Sequence, residues 1–100
     1  MNTDNQKMYE LYQAILLLKT EDEVARFLKD LCTPQEVSDL ADRWQVCRLL
    51  HEGNLSYREI QQKTGVSLAT ITRVARFLKD EPHQGYATIL QRMKQQKSHA

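Results

Sequence analysis

At 100 residues, 41% of them apolar and with a formal net charge of +1, the chain has the size of one compact domain, and nothing in its length argues for two. No stretch approaches the roughly 20 apolar residues needed to span a bilayer, and no basic segment followed by an apolar run opens the sequence, so no membrane association is expected and a cytoplasmic location follows. Cys32 and Cys47 are too few for a secreted disulfide framework, and reduced thiols are the expectation.

With three Gly, two Pro and few β-branched runs, the chain reads as all-α. The first apolar series, Leu11, Ile15 and Leu18 widened by Met8 and Tyr12, predicts a helix from about Asp4 to Lys19. Thr20 with Glu23 forms a capping box that opens a second helix to about Leu31, with Val24, Phe27, Leu28 and Leu31 inward. Thr33, Pro34 and Glu36 repeat that start signal for the longest helix. Its inward face reads Val37, Leu40, Ala41, Trp44, Cys47 and either Leu50 or His51, and Gly53 supplies a left-handed stop.

Ser56 and Glu59 make a third capping box, opening a short helix from Tyr57 to Lys63 with Ile60 inward. Gly65 breaks it, Ser67 caps a fifth helix from Leu68 to about Lys79, and Pro82 discourages continuation. A sixth helix is expected over residues 84–97, with Tyr86, Ile89, Leu90 and Met93 inward and the polar last residues frayed. The heptapeptide Val-Ala-Arg-Phe-Leu-Lys-Asp occurs at Val24–Asp30 and again at Val74–Asp80. Two copies do not make a solenoid, so a shared amphipathic solution is the simpler reading.

Charge is distributed unevenly. Residues 1–55 carry six basic and ten acidic side chains, whereas residues 56–79 carry Arg58, Lys63, Arg73, Arg76 and Lys79 against Glu59 alone. An anionic partner would dock on the second stretch. That stretch also has the layout of a helix-turn-helix: a short capped helix, a tight turn at Gly65, then a longer helix. Ile60, Val66, Ile71 and Leu78 are expected to lock the pair together. Leu68, Ala69, Thr70 and Thr72, with Arg73 behind them, are then left near the outer beginning of the second helix. Small side chains permit close approach to base edges in a major groove, and hydroxyl and methyl groups suit the donors, acceptors and thymine methyls found there. Arg58, Gln61, Lys63, Arg76 and Lys79 flank that tip and would meet the backbone of double-stranded DNA.

The run Gly65-Val-Ser-Leu-Ala-Thr-Ile-Thr-Arg73, ending in Leu78-Lys79, closely resembles the recognition helix of the tryptophan repressor, as does the Thr33-Pro34 start of the preceding long helix. The likeness covers roughly Leu31 to Pro82, and the branch it resembles is the YerC/YecD type of Trp-repressor-like proteins. The resemblance implies a six-helix fold. It also implies an intertwined homodimer, residues 1–55 supplying dimerisation and core helices and residues 56–79 the helix-turn-helix, and a transcriptional regulator, a repressor, on a near-palindromic operator. Within the family, two arginines hold a tryptophan effector, and Arg43 and Arg73 match them while Thr33 matches a pocket-lining residue. Val74 and Phe77, however, stand where the family has a glycine and a serine. That bulk points to a protein that does not bind tryptophan, with Phe77 and Val74 filling the site. Arg43 has a plainer role open to it, pairing with Asp39 or Glu36.

Other classes find less support. A helical dimerisation module or adaptor that binds another protein would share this fold, as would a regulator that senses a different small molecule. No serine, cysteine or carboxylate pair sits in a catalytic setting, so an enzyme is not expected. Cys47 and His51 have a spacing that can chelate a metal, but a zinc site wants four ligands, and neither metal nor cofactor is expected.

Overall fold

In the computed structural model, which describes residues 3–98, the chain forms six α-helices and, among those residues, no strand. They are α1 (Thr3–Leu16), α2 (Glu21–Leu31), α3 (Pro34–Glu52), α4 (Tyr57–Thr64), α5 (Leu68–Lys79) and α6 (Gly85–Ser98). The all-α class is as the sequence predicts; the last two residues, 99 and 100, lie outside the described part.

The predicted caps explain where most helices begin, because the first N–H groups of a helix have no partner within it. Thr33 Oγ1 accepts from the Glu36 N–H at 3.1 Å while the Glu36 carboxylate accepts from the Thr33 N–H at 2.8 Å. Ser56 and Glu59 exchange the same pair of bonds at 3.1 and 3.0 Å, and Ser67 Oγ accepts from the Thr70 N–H at 3.2 Å. At Thr20 the box is shifted by one residue, since the Glu23 carboxylate takes the Lys19 N–H at 2.9 Å. That bond also explains why α1 ends at Leu16 and not near Lys19. The Leu17 and Leu18 N–H groups turn to the carbonyls of Ala14 and Ile15 at 3.1 Å, a tightened last turn, and the next residues are used in reversing the chain.

The described chain divides into two compact units, one ending at Val37 and the other beginning at Ser38, within the first turns of α3. In the N-terminal unit neither α1 nor α2 buries a side chain. Met8, Leu11, Tyr12 and Ile15, expected inward, are exposed, as are Val24 and Leu31, while Phe27 and Leu28 are half-buried. The apolar stripes exist, but the described residues leave them exposed.

The C-terminal unit holds the core. Val46, Cys47, Ile60 and Ile71 are fully buried and Val66 and Val74 nearly so, with Trp44, Leu49, Leu50, Leu55, Leu78, Tyr86 and Leu90 packed around them. On α3 the inward face differs from expectation: Leu40 and Ala41 are exposed, Val46 is buried, and Leu50, not His51, turns inward. The core touches only the C-terminal half of that helix, so a stripe drawn along its whole length selects the wrong members.

Two predictions follow from this packing. Burial pushes the Cys47 thiol up from 9.0 to about 11. The folded chain keeps a proton that the unfolded chain releases, so this contribution to stability is complete below the ordinary thiol range and is lost as pH rises toward about 11. Alkaline unfolding should show that loss, and a thiol reagent in mildly alkaline buffer should modify the half-buried Cys32 quickly and Cys47 only on unfolding. Gly65 holds φ +76 with nothing within 4 Å of an added Cβ. Gly65→Ala should therefore destabilise by about 1–2 kcal/mol through backbone strain alone, seen as a lower urea midpoint at unchanged slope, with Gly65→Asn costing less.

Candidate nucleic-acid interface

The corner between α4 and α5 is fastened by local bonds. Gly65 closes α4 in a left-handed conformation, its N–H donating to the Gln61 carbonyl at 2.8 Å. The Thr64 hydroxyl donates to the Ile60 carbonyl at 2.7 Å and accepts from the Val66 N–H at 3.1 Å. Ile60 on one side and Ile71 and Val74 on the other then pack across the corner. With 3.6 residues per turn, burying Ile71, Val74 and Ala75 leaves a defined set outside.

That set includes nearly all the residues expected to meet DNA. Arg58, Gln61 and Lys63 on α4, and Leu68, Ala69, Thr72, Arg73, Arg76 and Lys79 on α5, are all exposed. The single carboxylate of this segment, Glu59, accepts a hydrogen bond from the Ser56 N–H at 3.0 Å, and its bonding with Ser56 holds its pKa below the ordinary carboxylate range. Thr70 is placed differently. It is half-buried, its hydroxyl accepts from Ser67 Oγ at 3.1 Å, and it lines a polar cavity of about 290 Å³ with Asp39, Asp42, Arg43, Gly65, Val66 and Ser67.

The residues matched to an effector pocket do not all share one cavity. Arg73, Val74 and Phe77 line a second cavity of about 310 Å³ with His83, Gly85 and Tyr86, whereas Arg43 lines the polar one. Thr33 is engaged locally as the cap of α3. The Arg73 guanidinium lies 4.4 Å above the Phe77 ring and that of Arg76 lies 5.0 Å from it. The His83 ring stacks on the same phenyl group, with 5.9 Å between centroids and planes 12° apart. Val74 belongs to the core at 1% exposure.

Two residues of this region escape a reading of the sequence as a site. Tyr86 was expected only to pack inward, yet its hydroxyl is pushed up by burial and by the Cys47 thiol while Arg43 and Arg73 act on it in the opposite sense. Both guanidinium groups therefore act on one phenol. His83 carries no sequence signal, since a histidine in a turn is unremarkable until its neighbour in space is known. Cys47 is fully buried and His51 exposed, and among the described residues no group of three or more His, Cys, Asp or Glu is placed to hold a metal ion. No helix among them is long and apolar enough to cross a membrane.

Comparison with known proteins places this geometry in a family. A sequence profile described as Trp repressor protein matches residues 6–94. The uncharacterized protein YerC of Bacillus subtilis is 44% identical over 86 residues, which cover 86% of this chain and 81% of its own length. A Trp operon repressor homolog of Chlamydia trachomatis is 42% identical over 72 residues, 68% of this chain and 77% of that protein. Among solved structures, a TrpR like protein from Eubacterium eligens superposes with a TM-score of 0.83 at 40% identity, over 89% of this chain and 90% of its own. Profile, pairwise identity and superposition agree over most of the chain, which belongs to the Trp repressor family.

Proposed function

We propose that this protein is a sequence-specific, DNA-binding transcriptional regulator, a repressor, that acts as a homodimer in the cytoplasm and does not depend on tryptophan. The observation that carries this reading is the outer face of α5, where Ala69 and Thr72 lie exposed with Arg73, Arg76 and Lys79 on the same helix and Arg58 and Lys63 on the neighbouring α4. Small and hydroxyl side chains read base edges, and the cations grip phosphates. Relatives named Trp operon repressor homologs support the reading of a DNA-binding transcriptional regulator.

Dimerisation is supported by the N-terminal unit. Met8, Tyr9, Tyr12, Ile15 and Leu16 are each more than two-fifths exposed, and α1 and α2 have no buried side chain to hold them. Short helices draw most of their stability from a packed face, and a second copy would supply it. Independence from tryptophan is supported by the stack of Arg73 on Phe77 at 4.4 Å: the ring that the guanidinium lies on belongs to the chain itself.

Binding, calorimetric and sedimentation measurements check this reading. Operator affinity should fall steeply with salt, and Lys79→Ala should weaken all sequences alike with a salt slope smaller by about one. Thr72→Ala should instead relax base preference by about 1–3 kcal/mol at one position, whereas Thr70→Ala should also lower stability through the Ser67 contact. Calorimetry with tryptophan should show no saturable heat, and sedimentation should show a dimer. A protein that selects no sequence from a random library would be an adaptor, and the proposal would fall.

A further inference from the structure

The turn after α5 is tied back onto that helix at several points. The Asp80 and Glu81 N–H groups both donate to the Arg76 carbonyl, at 2.8 and 3.1 Å. The Glu81 carboxylate pairs with Arg76 Nε at 3.3 Å, and His83 stacks on Phe77. Gln84 then adopts φ 62, a left-handed value that is costly for a residue with a Cβ and persists only where its surroundings over-determine it. Its carbonyl accepts from both the N–H and the hydroxyl of Thr88, at 3.0 and 2.7 Å.

The same phenyl ring carries both guanidinium groups of α5's outer flank. An arginine that must be ordered when it grips an anion loses rotamer freedom at that moment. One that is already stacked on a ring and paired through Nε has lost much of it during folding. The Arg76 side chain nevertheless remains 57% exposed, and its pairing through Nε leaves the two Nη groups for an anion.

We propose that Phe77, His83 and Glu81 are positioning residues, which hold Arg73 and Arg76 as a preset pair of guanidinium groups for DNA phosphates. Phe77 is the platform, His83 braces its ring, and Glu81 orients Arg76. The proposal rests on α5 being the helix that meets DNA, and its test separates the two claims.

Side-chain Nε–H resonances of Arg73 and Arg76, recorded on the protein alone, should be displaced by the Phe77 ring current. They should return toward values of unrestrained arginine in Phe77→Leu and stay displaced in Phe77→Tyr. In DNA binding, Phe77→Leu should lose about tenfold and His83→Ala about threefold in affinity, with Phe77→Tyr within about twofold of the parent. Neither loss should appear in a background carrying Arg73→Ala and Arg76→Ala, whereas a purely structural role would persist there. Undisplaced resonances in the parent protein, or equal losses in both backgrounds, would overturn the clamp. A parent protein with displaced resonances that binds no DNA would instead overturn the reading of α5, and the phosphate role with it.

Discussion

A helix has only one face to bury, and in α5 that face is taken by Ile71, Val74 and Ala75, with Leu78 half-covered beside them. Fully burying an aliphatic side chain is worth about 1.5–3 kcal/mol, so rotating α5 to bury another set would cost several such terms at once. The corner at Gly65 and the cap at Ser67 set where the helix begins, and the core sets its rotation. Together they decide that Ala69, Thr72, Arg73 and Arg76 face outward. Every functional property proposed for α5 depends on that choice.

The N-terminal helices present the opposite case. The Thr20 cap of α2 is in place and the apolar stripes of both helices have helical spacing, but among the described residues Met8, Tyr12 and Ile15 stay exposed. Two amphipathic helices without a buried residue are poorly stable by themselves, and a chain of this length has little core to spare. The proposed dimer answers both shortages with one contact surface.

With Val74 in the core and Phe77 beneath Arg73, an aromatic ring and a guanidinium meet inside one chain. A cation on the face of a ring is favourable by about 0.5–1 kcal/mol when exposed, and here two cations share one ring. The arrangement makes α5's charged flank part of the folded structure, with Arg73 and Arg43 both acting on the Tyr86 hydroxyl.

Helix number, most helix starts and the exposed basic segment were legible in the sequence because caps, glycine stops and 3.6-residue spacing act within a few residues of chain. The limits of that reading appear in the repeated heptapeptide. Val-Ala-Arg-Phe-Leu-Lys-Asp is helical almost throughout in both copies, in α2 and α5, since local propensity is the same. Val24 is 39% exposed, however, and Val74 1%. Arg26 pairs with Asp22 one turn back, while Arg76 pairs with Glu81 and lies near Phe77. Val46 in place of Leu40, the half-buried Thr70 and the stack of His83 on Phe77 belong to the same class of result. Sequence alone determined which segments coil and where most of them begin and stop, because those terms are short in range. Tertiary structure decided which faces lose water and which cations find a ring, because burial depends on neighbours that are distant along the chain.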